Sequence, residues 1–170
     1  METLLLLGGV SLFALVLVER GPGSSAEAVG TDPQSGLPAS VMTNNPGNIH
    51  WTVASAWQGE TGQGYTTAYG EKLEVFTTPQ YGARAMIKLI QNKVKAGHNT
   101  LPKLTASWAA ANTDAYAAFV ASATAIPINA ALDPYDVSGT LVPVAWAMAQ
   151  WEAGGEYFDL NVFSAGGLML

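Results

Sequence analysis

The sequence predicts a mainly α fold: one N-terminal apolar helix, a linker, a loop-rich section with at most a short β hairpin, and about four packed helices. Three observations predict it. After Pro79 the apolar side chains recur at three- and four-residue steps, the period of a helix with one buried face. Before Glu74 the chain is broken instead by Gly59, Gly62, Gly64 and Gly70 between short aromatic stretches, leaving no room for a long element. At the start, the run from Thr3 to Val18 carries no charge.

That run is bounded by Glu2 and by Glu19-Arg20. As a helix its sixteen residues would reach roughly 24 Å at about 1.5 Å each, against a hydrocarbon core of about 30 Å. Snorkelling of Arg20 or a thin bilayer could close the difference. The expectation is a retained membrane anchor over 1–20. A cleaved signal peptide, with Ser24-Ser25-Ala26 as the cleavage site, and a buried core helix stay open as alternatives. Glu2 in place of a positive residue argues against the signal. Gly21 to Ser40, rich in Gly, Pro and Ser, reads as a linker over 21–40.

The folded domain is expected over 41–155. Asn44-Asn45-Pro46-Gly47-Asn48 is a strong turn signal, with Gly47 expected at positive φ, and Lys72 to Thr77 is a candidate short strand. Pro79 to Ala96 reads as a helix with Met86, Leu89, Ile90 and Val94 on one face, ended by Gly97. Thr100 is placed to cap a second helix, with Pro102 in its first turn and Leu101, Leu104 and Trp108 on its buried side. A third begins at Thr113 with Tyr116, Phe119 and Val120 inward. A fourth runs from about Thr140 to Ala153 and stops at Gly154-Gly155. The tail over 156–170 is apolar but aperiodic and receives no assignment.

Composition narrows the function. Of 170 residues, thirteen are acidic and seven basic, for a formal charge of −6. Nucleic acid is therefore not an expected partner, since neutralising phosphates takes Lys and Arg. Six of the seven basic residues fall between Lys72 and Lys103. With no cysteine and only His50 and His98 as histidines, disulfides and thiolate metal sites are excluded, and no metal or cofactor is expected.

One constellation has a familiar order. Asn44-Asn45-Pro46-Gly47-Asn48-Ile49 is followed by Trp57-Gln58-Gly59, Phe76, Tyr81-Gly82-Ala83-Arg84-Ala85, Thr100, Trp108-Ala109, Asn112-Thr113 with Tyr116, and Glu152-Ala153-Gly154. This series resembles a family of bacteriophage and prophage structural proteins that carry a lysozyme-like domain, and the resemblance runs from about Thr43 to Gly155. It implies an α+β lysozyme-like fold and a peptidoglycan-directed activity, either lytic transglycosylase or muramidase. The setting it implies is a membrane-associated virion protein that aids cell-wall penetration or genome delivery. Its expected partners are peptidoglycan glycan strands, a lipid membrane through residues 4–18, and other virion proteins. Export to the periplasm after signal cleavage is the alternative location.

The chain departs from the family pattern at several places. Met42-Thr43 and His50 stand where members carry arginines, Ala111 stands where they carry a glutamate, and Ala153 replaces the last asparagine. Two further readings follow: a structural or assembly protein that kept the fold without the chemistry, and a peptidoglycan-binding module without turnover.

Glu152 can be argued from the residues alone. Leu141, Ala145, Met148 and Glu152 lie at steps of four, three and four, so the carboxyl continues an apolar stripe into the last helical turn. Desolvation and the partly negative helix end both favour the protonated form, which a glycosidic general acid needs near neutral pH. Glu152 is the first candidate acid/base, with a helix-end carboxylate turned to water as the structural alternative. Glu74 is the second choice, and Glu60 lies in the glycine-rich loop. A two-carboxylate hydrolase needs a partner at about 5 to 9.5 Å, and the sequence designates none. That tilts the reading towards a transglycosylase, in which the sugar's own 6-hydroxyl attacks.

Asn44, Asn45 and Asn48 are candidate substrate-binding residues because amides suit sugar hydroxyls and N-acetyl groups; closing the turn is their structural alternative. Trp57, Arg84 and Tyr116, which fall within the matching motifs, join them. An ion pair with Glu152 or Glu74 is the other expectation for Arg84, and Trp108 and Trp151 are expected in the core.

Overall fold

A computed structural model describes residues 36–170. The predicted anchor over 1–20 and the linker as far as residue 35 lie outside the described residues. Among those described, no helix is long and apolar enough to cross a membrane.

The described residues are mainly helical, with one two-stranded sheet among them. They open with a single turn, α1 (Ala39–Met42), across the boundary at 40–41 expected between linker and domain. The Asn-Pro-Gly loop follows, and Asn45 organises it. Its buried side-chain amide donates to the carbonyls of Ile49 (2.9 Å) and Glu74 (3.1 Å), while Oδ1 accepts from the Ile49 amide (2.9 Å). One side chain thus supplies three bonds that would otherwise need a strand partner. The left-handed positions here are Asn44 (φ 52°) and Asn48 (φ 48°). Gly47, expected at positive φ, is needed for clearance instead: a Cβ there would stand 3.0 Å from both Met86 Cγ and Trp108 Cζ2.

Strands β1 (Tyr65–Thr66) and β2 (Lys72–Leu73) pair antiparallel with Tyr65 opposite Leu73. The expected strand over 72–77 is therefore confined to two residues, continued by isolated pairings of His50 with Leu73 and Glu60 with Phe76.

Helix α2 (Pro79–Lys95) begins at the expected proline and buries Met86, Ile87, Ile90 and Val94. Its first turn lies directly on the asparagine loop, where a Cβ on Gly82 would collide with the Asn44 carbonyl oxygen. Helices α3 (Leu101–Trp108) and α4 (Thr113–Thr124) also fall where the periodicity puts them. Thr100 occupies the N-cap of α3 but makes no side-chain capping bond, and Phe119 of α4 is 37% exposed rather than inward.

Helix α5 (Val142–Ala153) is shorter than expected because a π-helical turn, Val137–Leu141, precedes it. Pro143, in the first turn of α5, has no N–H to continue the usual ladder. The Val142 amide reaches back five residues to the Val137 carbonyl. Asp136 fastens the wide turn by accepting from the Gly139 amide and the Thr140 hydroxyl, both at 2.9 Å.

Helix α5 is the centre of the core. Leu141, Val144, Ala145, Ala147, Met148 and Ala149 have no exposed surface, as expected of a helix apolar on every side. The tail left unassigned forms α6 (Leu160–Gly167), which packs on α2 and α5. Gly166 allows the approach to α2, since a Cβ there would lie 2.8 Å from the Arg84 amide nitrogen.

Candidate active site

The last turn of α5 opens on a cleft of about 480 Å³. One wall is the loop from Gly47 to His50, and Glu71 of the hairpin region also faces the opening. Leu89 and Lys93 of α2 form a second side, and the segment from Ser107 to Ala110, including Trp108, forms a third. Glu152 lines the same space.

The sequence places Glu152 here simply. The stripe of Leu141, Ala145 and Met148 is buried without exception, so the next position along it leaves the core only where the helix ends. Gly154, in the left-handed conformation (φ 68°), then turns the chain away. The carboxyl is partly buried. Its Oε1 accepts from the Tyr116 hydroxyl at 2.9 Å, and its Oε2 accepts from Asn48 Nδ2 at 3.3 Å. Burial raises its pKa above the ordinary carboxylate value, and the hydrogen bonds from Tyr116 and Asn48 pull it back only in part.

Tyr116 is itself wholly buried. Its ring stacks on Trp151 with centroids 5.0 Å apart and planes 12° from parallel, and its hydroxyl also lies 3.2 Å from the Met148 carbonyl oxygen. Burial, reinforced by Glu152, holds its phenol well above the usual range. Tyr116 therefore supports the carboxyl from behind; it does not present a surface to a ligand.

Asn48 comes to the cleft wall and meets Glu152. Its Oδ1 is buried without a hydrogen-bond partner. The other two asparagines turn away. Asn44 donates to the Phe76 carbonyl at 3.0 Å, and Asn45 is wholly occupied by Ile49 and Glu74. Of three asparagines in one motif, one faces the site and two build the loop that aims it.

The remaining candidates lie elsewhere. Glu74 is fully buried, outside the cleft lining, and neither carboxyl oxygen has a hydrogen-bond partner. Glu60 is half-buried in the glycine-rich loop with Oε2 unpartnered. Trp57 packs half-buried against the core. Arg84 donates from Nε to the Met169 carbonyl at 3.1 Å, tying α2 to the C-terminus. The hydrogen bonds to Glu152 come from Tyr116 and Asn48, not from Arg84.

Trp108, expected in the core, is half-buried and lines the cleft. Lys93 stands 5.8 Å from its ring centroid and donates to the Ser107 carbonyl at 2.7 Å, so a cation neutralises the end of α3. Sequence reasoning did not single out Leu89 and Lys93 as a pair, yet they are four apart and share one helix face. His50 and Glu71 carried no comparable signal, because the long-range pairing of His50 with Leu73 brings their segments together. Ala111 is exposed on the loop between α3 and α4, beside the lining residues Ala109 and Ala110.

Chemically, the cleft offers one carboxyl biased towards holding its proton, an amide beside it, an indole, and a rim bearing an imidazole, an ammonium and a second carboxylate. Among the described residues no group of three His, Asp or Glu side chains is gathered to hold a metal ion. The chain matches no protein-family model and no curated sequence.

Proposed function

We propose that this domain is a lysozyme-like, peptidoglycan-directed module of a membrane-anchored phage virion protein, with Glu152 as the single general acid/base of a lytic transglycosylase. The observation that carries the reading is a carboxyl at the end of a buried apolar stripe, biased towards its protonated form and facing a cleft with an indole in its lining. The virion setting, the anchor and the lysozyme-like fold rest on the motif resemblance.

In the proposed reaction protonated Glu152 gives its proton to the glycosidic oxygen as the bond to the anomeric carbon breaks, the bonding pair leaving with that oxygen. The resulting carboxylate then takes the proton of the sugar's own 6-hydroxyl as O6 closes on the anomeric carbon. The products are a 1,6-anhydro end and a restored acid, with no water consumed. Such acid/base participation is worth about 10²- to 10⁴-fold in rate.

Glu71 favours a second reading. Its place at the same cleft supplies the other carboxylate that a muramidase would use to activate water. Digestion of purified sacculi followed by analysis of chain ends separates the two. Anhydro ends that survive Glu71→Gln and vanish with Glu152→Gln support the transglycosylase. Reducing ends lost with either substitution support the hydrolase. Sacculi left intact by the wild-type chain reject both; retention on sacculi would then mark a binding module, and no retention a structural protein.

A further inference from the structure

The position of one hydroxyl between two acceptors has a consequence for how the acid is held. The Tyr116 hydroxyl lies 2.9 Å from Glu152 Oε1 and 3.2 Å from the Met148 carbonyl oxygen. Both distances are within hydrogen-bond range, but a phenol has one hydrogen and can donate to only one of them at a time. Tyr116 has no exposed surface, so solvent is not an alternative partner. Met148 and Glu152 are one helical turn apart, and the oxygen of Tyr116 sits between the backbone of the first and the side chain of the second.

We propose that the Tyr116 hydroxyl is a two-position rotor that keeps Glu152 hydrogen-bonded in both of its protonation states. When Glu152 is ionised, the phenolic hydrogen points to Oε1 and Asn48 Nδ2 donates to Oε2. When Glu152 carries its proton on Oε1, that proton is donated to the phenolic oxygen, and the phenolic hydrogen turns to the Met148 carbonyl. No buried donor loses its acceptor in either state, and no heavy atom has to move. Asn48, in the orientation observed, donates to Oε2 in both states but offers no acceptor to the acid's proton.

The inference deepens the acid/base reading of Glu152 and rests on it for its catalytic meaning. An acid that must give up and regain a proton in one turnover benefits from a partner that reverses polarity by rotating a single O–H bond. Tyr116 is a positioning residue in this scheme, acting through Glu152. The ionisable and polar groups around Glu152 are Tyr116 from α4, Asn48 from the asparagine loop, and His50, Glu71 and Lys93 on the shared cleft. Of these, Tyr116 also reaches the Met148 carbonyl.

Met148-Ala149 is the one Met-Ala pair in the sequence. Labelling the full-length chain with carbonyl-¹³C methionine and ¹⁵N alanine therefore isolates the Met148 carbonyl in one NMR correlation. Its shift and that of the Glu152 side-chain carboxyl are followed against pH. The rotor predicts a step at Met148 with the same midpoint as Glu152, and loss of that step in Tyr116→Phe while Glu152 still titrates. The phenylalanine ring keeps the stack on Trp151. A Met148 carbonyl that does not follow Glu152 in the wild-type chain overturns the proposal without recourse to any variant. A step that persists in Tyr116→Phe also overturns it, because the effect would then travel along α5. Neither measurement depends on turnover, so failure of the sacculus digestion leaves this test standing, and the reverse holds too.

Discussion

The end of α5 and the exit of the hairpin each draw a glutamate away from water, with opposite results. At the end of α5, Glu152 receives two hydrogen bonds and opens on a cleft. At the hairpin exit, Glu74 is sealed completely and neither carboxyl oxygen finds a donor. Its backbone is in use, however: its amide donates to the Ile49 carbonyl at 2.8 Å and its carbonyl accepts from Asn45. Burial therefore does not by itself single out a candidate acid. What separates the two is access to the cleft, together with donors that steady the charge once it forms.

The strongest way to break this contrast is through turnover. Glu152→Gln is expected to cut sacculus digestion by about 10²- to 10⁴-fold, whereas Glu74→Gln should stay within a few-fold of wild type. Comparable losses in two equally folded variants would dissolve the distinction.

Next come the two asparagines that serve these regions. Asn45→Ala removes three hydrogen bonds and takes the side-chain partner from the Ile49 amide and the Glu74 carbonyl, which should lower unfolding stability by about 3 kcal/mol or more at roughly 1 kcal/mol per bond. Asn48→Gly keeps the left-handed backbone without strain. It should change the melting temperature little while raising the Glu152 pKa, since a bond to the charged form is lost. Denaturant melts paired with a carboxyl titration read both effects.

A smaller and opposite change is expected at Glu74 itself. Glu74→Met replaces an unpartnered buried polar group with an apolar side chain of similar length and should stabilise the fold by about 1–2 kcal/mol. A loss of stability would show that the carboxyl has a structural role.

The smallest effect is a slope. The folded-state pKa of Glu152 is raised, so the native chain binds more protons than the unfolded chain between the two pKa values. Its contribution to stability is fully present below the unfolded value and is lost as pH climbs through the folded one. Glu152→Gln should flatten that decline, and denaturant melts across the mildly acidic range would reveal it.

Much of the helical half was legible because short-range chemistry decides it. Pro79, Pro102 and Thr113 each stand within the first two positions of a helix, and the stripe ending at Glu152 is buried as its spacing implies. The loop half resisted because long-range clearance decides it. Nothing local in Asn44-Asn45-Pro46-Gly47-Asn48 tells which asparagine will point to a neighbouring carbonyl and which to a carboxyl 104 residues away. Trp108 continues an apolar stripe and reads as core, yet the helix ends with it and leaves it facing the cleft. Helix α6 escaped for a related reason: its close crossing of α2 depends on Gly166, a residue that periodicity counts as a breaker.

Gly47 gives the cleft its gauge. Because a single methyl at that point would press on Met86 and Trp108 together, the floor of the loop, the flank of α2 and the last residue of α3 are shimmed to one another with no slack. The opening in front of Glu152 owes its width to an omitted side chain, and a graded series of bulkier residues at this position would act as a set of wedges, prising the indole away from the acid in measured steps.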